Sequence, residues 1–87
     1  MSFGQAIVAL VQGKNVAREG WNGKNMFLYL IEGNKLSKGL GYGYGEYVGV
    51  EPSFVDTIAM KTAQNTIVVG WLASQTDMLA NDWVILN

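Results

Sequence analysis

Two short stretches, Trp21-Asn22-Gly23 and Trp71-Leu72-Ala73-Ser74-Gln75-Thr76-Asp77, set aromatic rings beside small polar side chains. A pocket for a nucleotide-like ligand needs that combination. It requires ring faces to stack on a base, donors and acceptors for the base edge, and a cation or backbone N–H groups for phosphate. Trp21 and Trp71 supply faces, Asp77 or Asn22 can read an exocyclic amine, and Arg18 or Lys24 can meet phosphate. Stacking on an aromatic side chain is worth roughly 1–3 kcal/mol per base in proteins that bind single strands. The same residues also admit a packing role, because a tryptophan in so short a chain is usually core. Trp83, inside the strand-like run "DWVILN", is expected to be core. Trp21, next to a turn, stands between the two readings.

Catalysis has less to work with. The chain has no cysteine and no histidine, which excludes disulfides, thiol nucleophiles, zinc fingers and a histidine base. Seven carboxylates remain, and a pair such as Asp77 and Asp82 has the chemistry for acid–base work. Asp77 equally suits the start of a helical turn, and Asp82 a cap or a surface pair. Nothing completes a nucleophile relay, so the expectation is a protein that is not an enzyme and carries no cofactor. A carboxylate-only metal site needs a denser cluster than this sequence offers.

Composition bounds the partners. The 87 residues suffice for one domain, residues 1–87, with a modest core. Charged residues make up 15% and apolar residues 49%, against roughly 25% charged in ordinary soluble domains. A small domain has proportionally more surface, so so little charge implies that other copies of the chain cover part of it: a homo-oligomer is expected. The net charge is −1 and the six basic residues are scattered. Without a basic stripe, a nucleic-acid polymer is not an expected partner. No apolar run approaches the roughly 18 residues of a membrane span, and the first turn lacks a signal peptide's cationic head. The chain reads as cytoplasmic.

The elements that must position these residues follow from local pattern. Ser2 with Gln5 makes a capping-box signature, Phe3, Ile7, Leu10 and Val11 recur at helical spacing, and Gly13 suits the stop. "NVAREGWNGKNMFLYLIEG" predicts a β-hairpin turning at Asn22-Gly23. Its second strand, Met26 to Ile31, is apolar on both faces, so one face needs cover beyond the helix. "SFVDTIAMKT" and "NTIVVGW" predict two strands joined near Ala63–Asn65. A short helical turn over Asp77–Ala80 with Thr76 as N-cap and a last strand "DWVILN" close the chain. The glycines 39, 41, 43 and 45 alternate with Leu40, Tyr42 and Tyr44 and do not fit a dinucleotide fingerprint. That run is either a loop with exposed tyrosines or a flap that closes on a ligand. The fold class is α+β: one N-terminal helix packed on an antiparallel β-sheet of about five or six strands.

The segments "SFGQAIVAL…GKNVAREGWNGKNMFLYL" and "IAMKTAQNTIVVGWLASQTDMLANDWVI" resemble a small phage family, formerly a domain of unknown function, that contains the second type of Thoeris anti-defence protein. The most specific matches are Gly20-Trp21-Asn22-Gly23, Met60-Lys61-Thr62, and Trp71 to Asp77 through Asp82-Trp83. The resemblance implies a sponge. Such proteins bind, without cleaving it, the cyclic ADP-ribose isomer (glycocyclic ADP-ribose) made by a bacterial Toll/interleukin-receptor-domain enzyme, so the defence effector stays inactive. It further implies a homotetramer with pockets between subunits, acting in the host bacterial cytoplasm. Some members also take up the cyclic dinucleotides of the related CBASS defence. A non-catalytic phage interaction or structural protein is the other alternative. The family motifs carry over to Trp21, Asn22, Gly23, Trp71, Ser74, Gln75, Thr76 and Asp77, which with Arg18 form the expected ligand site. Gly70 departs from the family, where proline commonly precedes the tryptophan, and the glycine–tyrosine run 39–47 is not among the segments that carry the resemblance.

Overall fold

The structure, a computed structural model, describes residues 1–21, 23–35 and 53–87. Asn22 and the glycine–tyrosine run lie outside these described residues, as do the roles expected of them.

Helix α1 spans Phe3–Val11 and its two ends are set by local chemistry. The Gln5 N–H donates to Ser2 Oγ at 3.2 Å and the Ser2 N–H donates to Gln5 Oε1 at 2.9 Å, closing the expected capping box. At the other end Gly13 takes φ +87°. Its N–H donates to the Leu10 carbonyl at 2.9 Å, and that of Lys14 to Ala9 at 3.0 Å, the bond pair of a Schellman stop. The helix buries Ala6, Ala9 and Leu10, with Phe3 and Ile7 half-buried beside them. Val11, expected on the inner face, is 70% exposed. It stands at the last helical position, past the sheet-facing stripe.

Among the described residues five strands follow: β1 (Val16–Arg18), β2 (Phe27–Ile31), β3 (Thr57–Lys61), β4 (Ile67–Val69) and β5 (Trp83–Ile85). A short helix, α2 (Gln75–Leu79), lies between β4 and β5. Every pairing is antiparallel, in the order β4-β3-β2-β1-β5. The fold is α+β, one N-terminal helix on an antiparallel sheet, as the sequence predicts. Val16 pairs with Leu28 and Leu28 with Met60, and these partners share the sheet face on which α1 lies. The other face carries Phe27, Tyr29, Ile31, Ile67 and Val69 through the alternation of the pleat. Among the described residues no helix is long and apolar enough to cross a membrane.

The two hairpins differ in their turns. Between β3 and β4, Ala63–Asn65 forms the expected loop: Thr62 N–H donates to Thr66 O at 2.8 Å and Asn65 takes φ +63°. Between β1 and β2 the strands stop at Arg18 and resume at Phe27, and the turn expected at Asn22-Gly23 falls on residue 22, outside the described residues. Asn25 takes φ +62° in this loop. The described part of the loop bonds to distant residues. Glu19 N–H donates to Asp82 O, Gly20 N–H to the Asp82 carboxylate, and the Asn25 carbonyl accepts from Lys61 Nζ at 3.1 Å.

Gly70 leaves β4 at φ +91° with its N–H donated to Ile58 O at 3.0 Å, while Trp71 N–H reaches the same carbonyl at 2.8 Å. Proline has neither the N–H nor access to that φ, so the departure from the family pattern matches the path of this backbone.

Candidate ligand-binding site

The three tryptophans converge at one corner. Trp83 on β5 is 1% exposed and packs 5.5 Å from Phe3 of α1. Trp21, from the β1–β2 loop, meets Trp83 edge-on at 5.5 Å, and Trp71, just after β4, meets it at 6.3 Å. Trp21 and Trp71 stand 6.4 Å apart, again edge to face. Edge-to-face pairs of this kind are worth about 0.5–1.5 kcal/mol each beyond the area they bury. Trp83 is therefore core, as expected, and Trp21 and Trp71 are half-buried against it.

Helix α2 stands beside this corner and its first turn fixes Asp77. Ser74 is the N-cap: Asp77 N–H donates to Ser74 Oγ at 3.1 Å, and Ser74 N–H donates to Asp77 Oδ2 at 3.2 Å. The expectation of Thr76 as N-cap is corrected. Thr76 lies inside the helix, and the acidic residue that completes the box stands three residues after Ser74, not after Thr76. Asp77 is bonded on every side. Its Oδ1 accepts from Arg18 Nη1 at 2.9 Å and, at the 3.5 Å limit, from Trp21 Nε1; its main-chain carbonyl accepts from Trp83 Nε1 at 3.0 Å.

Arg18, at the end of β1, bridges two carboxylates. Its Nε donates to Asp82 Oδ1 at 2.8 Å while Nη1 holds Asp77, and its side chain is 16% exposed. Asp82 Oδ2 accepts the Gly20 N–H at 2.8 Å. A Cβ at Gly20 would stand 2.7 Å from that oxygen, so glycine is what lets the loop wrap so closely. The Arg18 guanidinium and the Gly20 N–H hold the Asp82 carboxyl below its ordinary pKa against the opposing cost of burial. For Asp77 burial pushes upward, but Arg18, the Ser74 N–H and hydroxyl, and Trp21 together outweigh it and the net direction is down. Arg18 is raised by Asp82 first and Asp77 second.

This accounts for most of the expected site. Arg18, Trp21, Trp71, Ser74 and Asp77 do come together, but the charged members bond one another. Arg18 faces two carboxylates, so its charge is already balanced and it has none to spare for a phosphate. Ser74 is occupied as a cap. Gln75 and Thr76 on the outer side of α2 are exposed, with no side-chain hydrogen bond among the described residues. Gly23 sits at the far end of the loop, where a Cβ would meet Met26 Sδ and stand 2.8 Å from Ala63 Cβ. Lys61 spends its ammonium on the carbonyls of Asn25 and Thr62. Lys24, in the loop that carries Trp21, is exposed and pairs with no carboxylate among the described residues. Carboxylates held ionised by a guanidinium are weak bases near neutral pH, so Asp77 and Asp82 are poorly matched to proton abstraction. The residue that local reasoning undervalued is Asp82, whose partners lie 62 and 64 positions away.

A concavity of about 340 Å³ is lined by Val11, Gly13, Tyr29, Leu30, Ile31, Glu32 and Lys35. None of the expected site residues borders it. The tryptophan corner gathers the expected residues and is the candidate site.

Helix, sheet and corner define a small α+β protein in which an antiparallel sheet and a capped helical turn gather three tryptophans beside a partly buried ion cluster. The chain belongs to the Thoeris anti-defense 2-like (Tad2-like) family, whose model matches residues 1–86. It is similar over its whole length to Thoeris anti-defense 2 of Bacillus phage SP01, with 52% identity over 87 residues that cover 96% of that relative.

Proposed function

We propose that this protein is a phage anti-Thoeris factor that works by sequestration. It binds a cyclic ADP-ribose isomer, glycocyclic ADP-ribose, made by the bacterial Toll/interleukin-receptor-domain enzyme, holds it uncleaved, and so keeps the defence effector inactive in the host cytoplasm. The observation that carries the reading is the tryptophan corner in a chain 52% identical to a named anti-Thoeris protein. Two half-buried indoles, Trp21 and Trp71, stand 6.4 Å apart next to helix α2, whose exposed Gln75 and Thr76 carry no side-chain hydrogen bond among the described residues. Lys24, whose ammonium pairs with no carboxylate among the described residues, takes the phosphate role that Arg18 cannot.

Sequestration requires affinity and no turnover. Each tenfold in affinity takes about 1.4 kcal/mol, and stacking with a few hydrogen bonds to charged groups supplies several such steps. A homotetramer with pockets between subunits is part of the proposal. Its support is apolar surface left open on one chain: β4 is exposed along its length, Leu72 is 89% exposed and Leu79 is 79% exposed. An exposed apolar edge strand is otherwise an aggregation hazard.

The test is to incubate the protein with glycocyclic ADP-ribose, remove free ligand, heat-denature, and analyse what is released. Intact ligand is the expected product. A cleaved product makes the protein an enzyme, and no captured ligand makes it an interaction protein of another kind. Running the same assay with cyclic dinucleotides tests the second ligand class.

A further inference from the structure

We propose that Arg18 and Asp77 are positioning residues for Trp21, acting on the ligand only through that ring. The inference rests on the reading of Trp21 as a ligand-stacking wall. The geometry behind it is a continuous set of bonds around one short segment. The Trp21 N–H donates to the Arg18 carbonyl at 3.3 Å, the Gly20 N–H to Asp82 Oδ2 at 2.8 Å, and the Glu19 N–H to the Asp82 carbonyl at 3.1 Å. Residues 18–21 are thereby wrapped on Asp82. The Arg18 guanidinium then spans from Asp82 to Asp77, and the Asp77 oxygen that it holds also lies 3.5 Å from the Trp21 indole nitrogen.

The indole is thus fixed at both ends. Its backbone is tied to β1, its nitrogen points at an acceptor that Arg18 keeps ionised and in place, and its ring edge rests against Trp83. Asp77 has a second grip on the same cluster, because its carbonyl accepts from the Trp83 indole nitrogen at 3.0 Å. A ring held in advance loses less freedom on binding than one that must be ordered by the ligand. A direct contact between Arg18 and the ligand is the competing role, and the two make different demands on coupling. A residue that works through Trp21 loses its effect when Trp21 is gone, whereas an independent contact adds.

The experiment has a ligand-free arm and a ligand-bound arm. Protein labelled with 5-fluorotryptophan gives a fluorine resonance for each tryptophan, assigned by Trp21→Phe, Trp71→Phe and Trp83→Phe. Arg18→Gln, and the charge-balanced pair Arg18→Gln with Asp82→Asn as the variant more certain to fold, are expected to shift or broaden the Trp21 line while the Trp83 line stays. Arg18→Lys, which keeps charge but not the two-pronged geometry, should restore it only in part. In titrations with glycocyclic ADP-ribose, Arg18→Gln should weaken binding about tenfold in the wild-type background and less than about twofold in the Trp21→Ala background. An unchanged Trp21 line in both Arg18 variants overturns the proposal, and so do equal losses of affinity in the two backgrounds. If wild-type protein captures no glycocyclic ADP-ribose, the sequestration reading fails and the fluorine arm alone decides whether Arg18 positions Trp21.

Discussion

Arg18 and Asp77 stand 59 positions apart in the chain, and Arg18 Nη1 donates to Asp77 Oδ1 at 2.9 Å. That bond joins the end of β1 to the first turn of α2, two elements that no local pattern links. With Asp82 it makes a three-residue ion cluster beneath the tryptophan corner. The cluster ties the two elements that carry Trp21 and Asp77 to one another.

Acid should loosen the corner before the helix. Both Asp77 and Asp82 have folded pKa values below the ordinary carboxylate value of about 4. A lowered folded pKa adds stability that is complete above the unfolded value and is lost as pH falls through the folded one. The thermal midpoint should therefore hold between about pH 7 and pH 5 and drop below about pH 4. Asp82→Asn should start lower and fall less steeply over that range. Melting curves at successive pH values read both effects, and equal slopes for the two proteins would sink the assignment.

The three tryptophans should separate into a structural one and two functional ones. Trp83 is fully buried against Phe3 and Leu10 in the core cluster, so Trp83→Ala should cost about 3–5 kcal/mol, most of the margin of so small a fold. Trp21→Ala, at a half-buried site, should cost about 1–2 kcal/mol and leave a folded protein. That folded protein should bind glycocyclic ADP-ribose at least about tenfold more weakly, since one stacking face is worth about 1–3 kcal/mol. Urea denaturation paired with ligand titration distinguishes the two outcomes.

Gly70 should resist replacement for a backbone reason. At φ +91° an added Cβ meets no atom within 4 Å, so crowding is not the obstacle and the strain of the left-handed region is. Gly70→Ala should cost about 1–2 kcal/mol. Gly70→Pro should cost more, because it also removes the N–H that bonds Ile58 O. If Gly70→Pro melts with the wild type, the backbone here follows a different path.

What the sequence made legible is what is local. The Ser2–Gln5 box, the Gly13 stop, the β3–β4 turn and the core place of Trp83 all follow from residues within a few positions of each other or from one run of alternation. The Ser74-x-x-Asp77 spacing also carries a box signature, and applying the spacing rule there would have put the cap at Ser74. The cluster of Arg18, Asp77 and Asp82 is not local, and no periodicity marks a pair 59 or 64 positions apart. In the β1–β2 loop, likewise, the Gly20 N–H bonds Asp82 and the Asn25 carbonyl accepts from Lys61, partners that no local pattern marks.

Ser74 and Thr76, two hydroxyls one turn position apart in role, should divide stability from binding. Ser74→Ala removes the cap of α2 and the hydroxyl that holds Asp77 Oδ2 at 2.9 Å, so it should cost about 1 kcal/mol and loosen the carboxylate that Arg18 grips. Thr76→Ala removes an exposed hydroxyl with no bond among the described residues and should leave the unfolding midpoint within about 0.5 kcal/mol of wild type. If the corner takes the ligand as proposed, Thr76→Ala or Gln75→Ala should still weaken capture of glycocyclic ADP-ribose by about three- to tenfold, the worth of one hydrogen bond. The decisive comparison is between the two measurements on one protein. A Thr76→Ala and Gln75→Ala double variant that unfolds and binds like the wild type would move the ligand off this face of α2 and leave the tryptophan corner as packing alone.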